Sequence, residues 1–264
     1  MVLACRSVER AEAAGVQIED EAPGAAVEVA QLDLGELASV RGFAGRFRDE
    51  HEGPDLLINN AGVMAPPRRQ TADGFELQFG TNHLGHFALT GLLVGAMRGR
   101  GDPRVVTLTS SMHRLGRISF DNLNGKRRYN NWLAYSQSKL ANLLFALELD
   151  RRLRAAGSAI RSMAAHPGYA ATNLQHAGPR RLESAVLAIS NRILAQSSEM
   201  GALPTLYAAT YPGLDGGTFV GPDGFAEQHG HPKPVSPSRA ALDDGTAERL
   251  WAVSEELTGV PFEI

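Results

Sequence analysis

Short apolar runs alternate with longer segments of helical spacing, and this alternation constrains the fold more than any other feature. The apolar runs that have the length and sharp ends of buried parallel strands are residues 26–32, 56–58, 105–108 and 160–165. The segments whose apolar residues recur at helical spacing are residues 7–20, 35–51, 72–97 and 133–156. Repeated strand and helix pairs form right-handed crossovers and a parallel sheet covered by helices. The sequence therefore predicts an α/β fold with a doubly wound parallel sheet.

The last third of the chain has a different pattern. Residues 211–231 are rich in glycine and proline, and a proline-rich run follows at 231–237, so we predict an ordered loop there. Residues 246–257 are amphipathic and predict a final helix, with Gly259 as its C-cap. Because we find no repeat and no low-complexity linker in the sequence, residues 1–264 are predicted to form one domain.

Composition and charge exclude several classes of partner. The net charge of -3 provides no positive field for a phosphate backbone, so we do not expect nucleic acid as a partner. The single cysteine, Cys5, cannot form an internal disulfide, which favours a reducing compartment and a cytoplasmic location. No apolar run approaches the roughly 20 residues that a membrane span requires.

Polar residues follow the predicted strands at their carboxyl ends, where sheets of this class bind ligands. Arg6 follows the apolar run at residues 2–5, and Asp33 follows the next strand. The later strands are followed by the turn at residues 59–62, the pair Ser110 and Ser111, and residues 166–168. We expect these five groups to line one crevice.

Tyr135 and Lys139 lie four residues apart on a predicted helix, so they share one face. A neighbouring ammonium stabilises a phenolate, so we expect Lys139 to lower the pKa of Tyr135. Such a pair alone also occurs on the surface of ordinary helices, and only its context favours catalysis. Ser111 could donate a hydrogen bond to a substrate oxygen.

Asn82 lies inside the helix predicted at residues 72–97, where asparagine has weak propensity. This position indicates a compensating task, either holding a water molecule or kinking the helix, with core packing as the alternative.

His83 and His86 lie three residues apart and could share a metal, but no carboxylate or cysteine joins them at ligand spacing. We therefore predict no metal site and interpret both histidines as packing and hydrogen-bonding residues.

These motifs together resemble those of the short-chain dehydrogenases/reductases. The family's Tyr-x-x-x-Lys motif matches Tyr135 and Lys139, and its Asn-Asn-Ala-Gly turn matches residues 59–62. Asn82 corresponds to the asparagine of the catalytic tetrad, and Ser111 to the active serine, which is the second of such a pair. The stretches 3–6, 82–87 and 138–142 are similar to the branch of retinol dehydrogenases and protochlorophyllide reductases.

The resemblance implies a Rossmann-type fold and hydride transfer between a nicotinamide cofactor and a small-molecule carbonyl or alcohol substrate. Tyr135 is then the general acid/base, and Lys139 binds the nicotinamide ribose and lowers the tyrosine pKa. Ser111 orients the substrate oxygen, and Asn82 holds a proton-relay water. The resemblance also makes a homo-oligomer possible.

The resemblance assigns further residues to the cofactor. The implied cofactor-binding residues are Arg6, Asp33, Leu34, Asn60, Ala61, Gly62, Tyr135, Lys139, Pro167, Gly168 and Thr172. A basic residue at position 6 suits a 2′-phosphate, so NADP is expected rather than NAD. Residues 175–195, which follow the Pro-Gly segment, are predicted to form a mobile lid over the substrate.

The sequence departs from the family at its beginning. Family members start with a strand, a glycine-rich turn and a helix whose N–H groups hold the pyrophosphate. Met1 falls where the second strand should already be running, so we expect an N-terminally truncated fold without the first βα unit. Either the recorded start is internal to a longer natural protein, which we favour, or the truncated chain binds cofactor weakly or not at all.

Two other functions remain open at this point. A sugar-nucleotide epimerase or dehydratase shares the tyrosine and lysine motif, although such proteins are usually longer. A catalytically impaired nucleotide-binding or interaction module of the same family would also account for the missing turn.

Overall fold

The computed structural model describes residues 1–168 and 197–264. Thr172 and the predicted lid at residues 175–195 lie outside the described residues. The chain begins with β1 (Val2–Cys5), α1 (Val8–Glu21), β2 (Glu28–Gln31), α2 (Leu37–Glu50) and β3 (Leu56–Asn59). There follow α3 (Leu77–Phe79), a π-helical turn (Gly80–Leu84), α4 (Gly85–Leu93), a 3₁₀ turn (Val94–Met97) and β4 (Arg104–Leu108). The continuous helix predicted at residues 72–97 is therefore wrong, because the helix starts at Leu77 and its winding changes three times.

The second half contains the longest described helix. After a 3₁₀ turn (Ser111–Leu115), the elements are α5 (Asn131–Ala155), β5 (Arg161–Ala165), α6 (Ser198–Thr210), β6 (Phe219–Pro222), β7 (Pro232–Pro234) and α7 (Asp244–Thr258). The N-cap of α5 is Asn130, whose side chain accepts hydrogen bonds from the amides of Trp132 and Leu133. Among the described residues, no helix combines the length and the apolar character that crossing a membrane requires.

The strands form a parallel arrangement flanked by helices, which confirms the predicted α/β class. β1 and β2 pair in parallel, with Val2 opposite Glu28. Among the described strands, the larger sheet has the order β3-β4-β5-β6-β7, in which only the β6–β7 pair is antiparallel.

β1 and β3 belong to different sheets, and each pairs on one side only within the described part of the chain. Leu56 and Ile58 of β3 are 40% and 38% exposed, whereas Val105 and Val106 of the neighbouring β4 are fully buried. β1 and β3 are therefore open edges of the two sheets in the described structure.

Side-chain packing joins the small sheet to the rest of the molecule. Leu32 and Val40 form one apolar cluster with Leu89 and Leu93 of α4, and Ala4 and Leu57 pack against it. The helices α2 and α4 are in contact across this cluster. The carboxyl ends of the strands are thus held by a common core even though the two sheets share no hydrogen-bonded ladder among the described strands.

The predicted loop at residues 211–231 is corrected by the structure, because it contains β6, and the proline-rich run after it contains β7. β6 pairs with β5, with Ala164 opposite Phe219. β7 forms the edge of the sheet, where prolines are tolerated because an outward-facing amide is not needed. The final helix is confirmed as α7, and Gly259 caps it with a φ of 60°.

Candidate active site

Tyr135 and Lys139 lie on one face of α5, as their spacing predicted. Both side chains are buried, and the Nζ atom of Lys139 lies 5.8 Å from the centroid of the Tyr135 ring. The Thr109 hydroxyl donates a 2.6 Å hydrogen bond to the Lys139 carbonyl. This bond fastens α5 to the carboxyl end of β4, where the sequence placed the crevice.

Ser110, which directly precedes Ser111, interacts with Tyr135. A hydrogen bond with the Ser110 side chain acts to lower the pKa of Tyr135. Ser110 has an extended backbone and caps the 3₁₀ turn, accepting a 3.3 Å hydrogen bond from the Met112 amide, while Ser111 is the first residue inside that turn. The structure therefore offers Ser110 as a second candidate for the active serine, and the choice of Ser111 stays a prediction.

Burial dominates the ionisation of both groups. Burial raises the pKa of Tyr135 to about 12, although the hydrogen bond with Ser110 acts in the opposite direction. Burial lowers the pKa of Lys139 to about 8. The expected lowering of the tyrosine pKa is therefore wrong in this structure. Loss of water destabilises the charged phenolate by more than the hydrogen bond with Ser110 stabilises it. At neutral pH Tyr135 carries its proton.

The predicted turn at residues 59–62 borders the lysine. A Cβ atom added to Gly62 would lie 3.6 Å from Lys139 Nζ and 3.1 Å from Asn82 Oδ1. Asn60 and Ala61 are exposed and Gly62 is half-buried. Lys139 Nζ donates a 3.2 Å hydrogen bond to the Leu108 carbonyl at the end of β4.

Asn82 lies in the π-helical turn and connects this site to α5. Its side chain accepts from the Val63 amide at 2.8 Å and donates to the Val63 carbonyl at 2.9 Å and to Ser138 Oγ at 3.0 Å. π-helical turns within helices often mark functional positions. Asn82 thus lies where the winding changes, and the kinking and water-holding roles stay predictions.

His83 and His86 are buried and act as packing and hydrogen-bonding residues, as we interpreted them. His83 Nε2 is hydrogen-bonded to Ser254 Oγ at 2.9 Å, and His86 Nδ1 donates to the Asn82 carbonyl at 2.9 Å. Burial lowers the pKa of His83 to about 3 and that of His86 to about 4, so both rings are neutral at physiological pH.

The residues predicted to bind the adenosine end lie after β1 and β2. Arg6 is exposed, and Asp33 Oδ1 accepts a 2.8 Å hydrogen bond from the Gly35 amide. The side chain of Leu34 packs into the apolar core, so only its main chain remains for an adenine. The cofactor roles of these residues stay predictions.

At the opposite end of the crevice, Pro167 and Gly168 follow β5, and the sequence analysis did not predict the residues that hold them. The Gly168 amide donates to His166 Nδ1 at 3.2 Å, and His166 Nε2 lies 3.2 Å from Glu227 Oε2. The hydrogen bond with His166, together with Arg114, lowers the pKa of Glu227 to about 2. The position of His166 before a Pro-Gly pair was a usable signal, but nothing local marks Glu227, which lies 61 residues further along the chain.

Comparison with known proteins identifies the class. A model of the short chain dehydrogenase family matches residues 1–182. The chain belongs to the short-chain dehydrogenase family, and it is an oxidoreductase of the Rossmann fold. Human retinol dehydrogenase 13 is 41% identical over 264 residues, covering 98% of this chain and 77% of the relative. Human retinol dehydrogenase 11 is 38% identical over 262 residues, covering 99% of this chain and 78% of the relative. These matches confirm the resemblance to the retinol dehydrogenase branch.

Solved structures agree with this assignment. The crystal structure of an uncharacterized protein from Mycobacterium paratuberculosis superposes with a TM-score of 0.80 at 47% identity, covering 100% of this chain and 85% of that chain. An NADPH-bound short chain oxidoreductase from Pseudomonas aeruginosa shares the fold, with a TM-score of 0.61 at 16% identity and 83% coverage of both chains.

Proposed function

We propose that this protein is an NADP(H)-dependent oxidoreductase that interconverts a carbonyl and an alcohol, with Tyr135 as the general acid/base. The observation that carries the proposal is the burial of Tyr135 and Lys139 on one helix face, with Lys139 Nζ 5.8 Å from the centroid of the tyrosine ring and Ser110 acting on the phenol. A phenol with a raised pKa holds its proton at neutral pH. Tyr135 can therefore give that proton to a carbonyl oxygen as the carbon is reduced, and take it back in the reverse reaction.

Ser110 and Lys139 assist this proton transfer in different ways. The Ser110 hydroxyl donates a hydrogen bond to the substrate oxygen, which stabilises the negative charge that develops there. The ammonium of Lys139 favours the phenolate that remains after Tyr135 has released its proton. Ser110 follows β4 in the chain, and Lys139 Nζ is hydrogen-bonded to the Leu108 carbonyl at the end of that strand. The sheet therefore sets the positions of both side chains relative to the reacting oxygen.

The residues present fit a nicotinamide ribose. An ammonium has three N–H donors, and Lys139 Nζ uses one of them in the bond to the Leu108 carbonyl. Gly62, beside it, has no side chain to crowd a ligand. A bound nicotinamide supplies or accepts the hydride. The exposed Arg6 after β1 would contact a 2′-phosphate, which is why we propose NADP rather than NAD.

The substrate class follows from the relatives and from the site. The relatives reported above are retinol dehydrogenases, so retinal and retinol are the first pair to test. Because specificity among related oxidoreductases depends on pocket contacts, small aliphatic and aromatic aldehydes belong in the same panel.

The test compares Tyr135→Phe with Tyr129→Phe. Tyr135→Phe removes the proton donor, so we expect turnover to fall by roughly 10² to 10⁴ while NADPH affinity stays nearly unchanged. Tyr129 also carries a partly buried hydroxyl, which is hydrogen-bonded to Glu76 at 3.1 Å, so its variant controls for loss of a structural hydroxyl. Turnover of Tyr135→Phe within a few-fold of the parent would contradict the proposal.

The separation of β1 from β3 favours a second candidate, a nucleotide-binding or interaction module with little or no catalysis. Because the two sheets are separate in the described structure, the residues after β1 and β2 are not aligned by hydrogen bonds with those after β3 and β4. Titration of the purified chain with NADPH, followed by the aldehyde panel, distinguishes the two candidates. Binding without turnover of any aldehyde would favour the module.

A further inference from the structure

One C-terminal segment, residues 223–238, holds two loops of the candidate active site; we call it the brace. Glu227 of the brace pairs with His166, and the Arg114 guanidinium donates to Glu227 at 2.9 Å. His113 Nε2 accepts a 3.3 Å hydrogen bond from the Ser238 amide, and its Nδ1 donates to the Ser110 carbonyl at 2.7 Å. The brace therefore contacts both the loop that carries Ser110 and the loop that carries Gly168.

The hydrogen bonds of His166 determine which ring nitrogen carries the proton. Nδ1 accepts from the Gly168 amide at 3.2 Å, so it has no proton of its own. Nε2 must then be protonated and donate to the Glu227 carboxylate at 3.2 Å. The ring is fully buried, so water does not compete for either bond.

The residues next to His166 and Glu227 accommodate the hydrogen bond between these two side chains. A Cβ atom on Gly221 of β6 would overlap the His166 ring, so a glycine at this position of the strand leaves room for the imidazole. Ala226 and Glu227 both have positive φ angles, 51° and 58°, which are unfavourable for residues with side chains. Strained backbone of this kind persists where the surrounding contacts hold it, and it occurs preferentially at functional sites.

The segment held by His166 lies beside the loop that follows β4 and carries Ser110. β5 is paired with β4, and the Thr109 amide donates a 2.8 Å hydrogen bond to the Ala165 carbonyl, which directly precedes His166. Gly168 has a φ of 67°, so its amide direction depends on a conformation that favours glycine. The bond to His166 Nδ1 fixes that amide.

We propose that His166 is a positioning residue for the reaction, kept in the Nε2-protonated form by Glu227 so that Nδ1 holds the Gly168 amide and with it the Pro167–Gly168 segment at the nicotinamide end. This inference rests on the proposed function, since the segment matters for catalysis only if it contacts the cofactor. His166 itself does not touch the reacting atoms.

Two substitutions at the same position separate the two ring nitrogens. In His166→Asn the amide oxygen can occupy the place of Nδ1 and accept from Gly168, whereas His166→Gln places its amide near Nε2 and leaves the Gly168 amide without its acceptor. We expect the KM for NADPH to stay within about threefold of the parent in His166→Asn and to rise roughly tenfold in His166→Gln, with kcat less affected, because one hydrogen bond is lost. Equal rises in both variants would overturn the proposal.

Nuclear magnetic resonance of ¹⁵N-histidine-labelled full chain tests the arrangement without any cofactor. The His166 signals are assigned by their loss in His166→Asn. We expect protonated Nε2 and unprotonated Nδ1 in the parent, in Glu227→Gln, whose amide oxygen still accepts, and in Arg114→Met, which leaves the His166–Glu227 bond in place. Glu227→Leu should give a mixture of tautomers. A proton on Nδ1 in the parent, or an unchanged tautomer in Glu227→Leu, contradicts the assignment.

Amide exchange at Gly168 separates failure of this inference from failure of the proposed function. The Gly168 amide should exchange more slowly in the parent and in His166→Asn than in His166→Gln, whether or not NADPH is turned over. Absence of turnover in the parent would refute the proposed function alone. Equal exchange rates in all three proteins would refute the bond between His166 and Gly168.

Discussion

Replacing Lys139 with methionine should stabilise the protein at neutral pH while removing its proposed activity. The side chain is 6% exposed, and burial lowers its pKa from 10.5 to about 8. The unfolded chain therefore binds this proton more tightly than the folded protein does. Below pH 8 both states are protonated and folding bears the full cost of burying the ammonium, which corresponds to about 3 kcal/mol.

The sign of the pH dependence follows from these two pKa values. Between pH 8 and 10.5 the folded protein releases the proton before the unfolded chain does, so the cost decreases and stability rises with pH. Methionine has a side chain of similar length and carries no charge, so its variant does not bear this cost at any pH. It loses the hydrogen bond to the Leu108 carbonyl, worth about 1 kcal/mol. That carbonyl still accepts a 2.9 Å bond from Asn142 Nδ2, so it is not left without a partner.

The net gain is about 2 kcal/mol at pH 7, or roughly 5 °C in Tm for a chain of this size. The assay is thermal and urea unfolding without nucleotide at pH 6.5, 8 and 10, comparing the parent with Lys139→Met and with Lys126→Met. Lys126 is exposed, so its variant should follow the parent at each pH. The advantage of Lys139→Met should shrink towards pH 10. A variant less stable than the parent at pH 7, or an advantage that does not change with pH, would refute the reasoning.

Three further outcomes are expected. Ser110→Ala should lower turnover by about 10² while Ser111→Ala stays within a few-fold of the parent, and the reverse result in steady-state kinetics would favour Ser111. Arg6→Leu should raise the Kd for NADPH roughly tenfold and that for NADH much less, because only NADPH has the 2′-phosphate; equal losses would remove the preference for NADP. Fusing the strand, glycine-rich turn and helix of a related dehydrogenase before Met1 should raise both NADPH affinity and Tm, because the added strand would join β1 to β3 and the turn would donate to the pyrophosphate; equal values for both chains in calorimetry would contradict this.

Local patterns in the sequence determined the class of fold and the central pair of the site. The alternation of apolar runs and helical segments predicts β2 to β5 and the helices α2 and α5, because burial on both faces and helical periodicity are short-range properties. Tyr135 and Lys139 share a face of α5 for the same reason, since four residues make about one turn of helix. Gly259 as the C-cap of α7 likewise depends on one backbone conformation at one position.

Tertiary structure decided what depends on distant partners. β6 is a strand because β5 lies beside it, although its composition is that of a loop. The interaction of Ser110 with Tyr135 joins residues 25 positions apart, and residue order alone does not indicate it. The raised pKa of Tyr135 comes from burial by the whole domain core rather than from its neighbour four residues away. The bond between His166 and Glu227 depends on folding that brings together residues 61 positions apart, a distance over which periodicity carries no information.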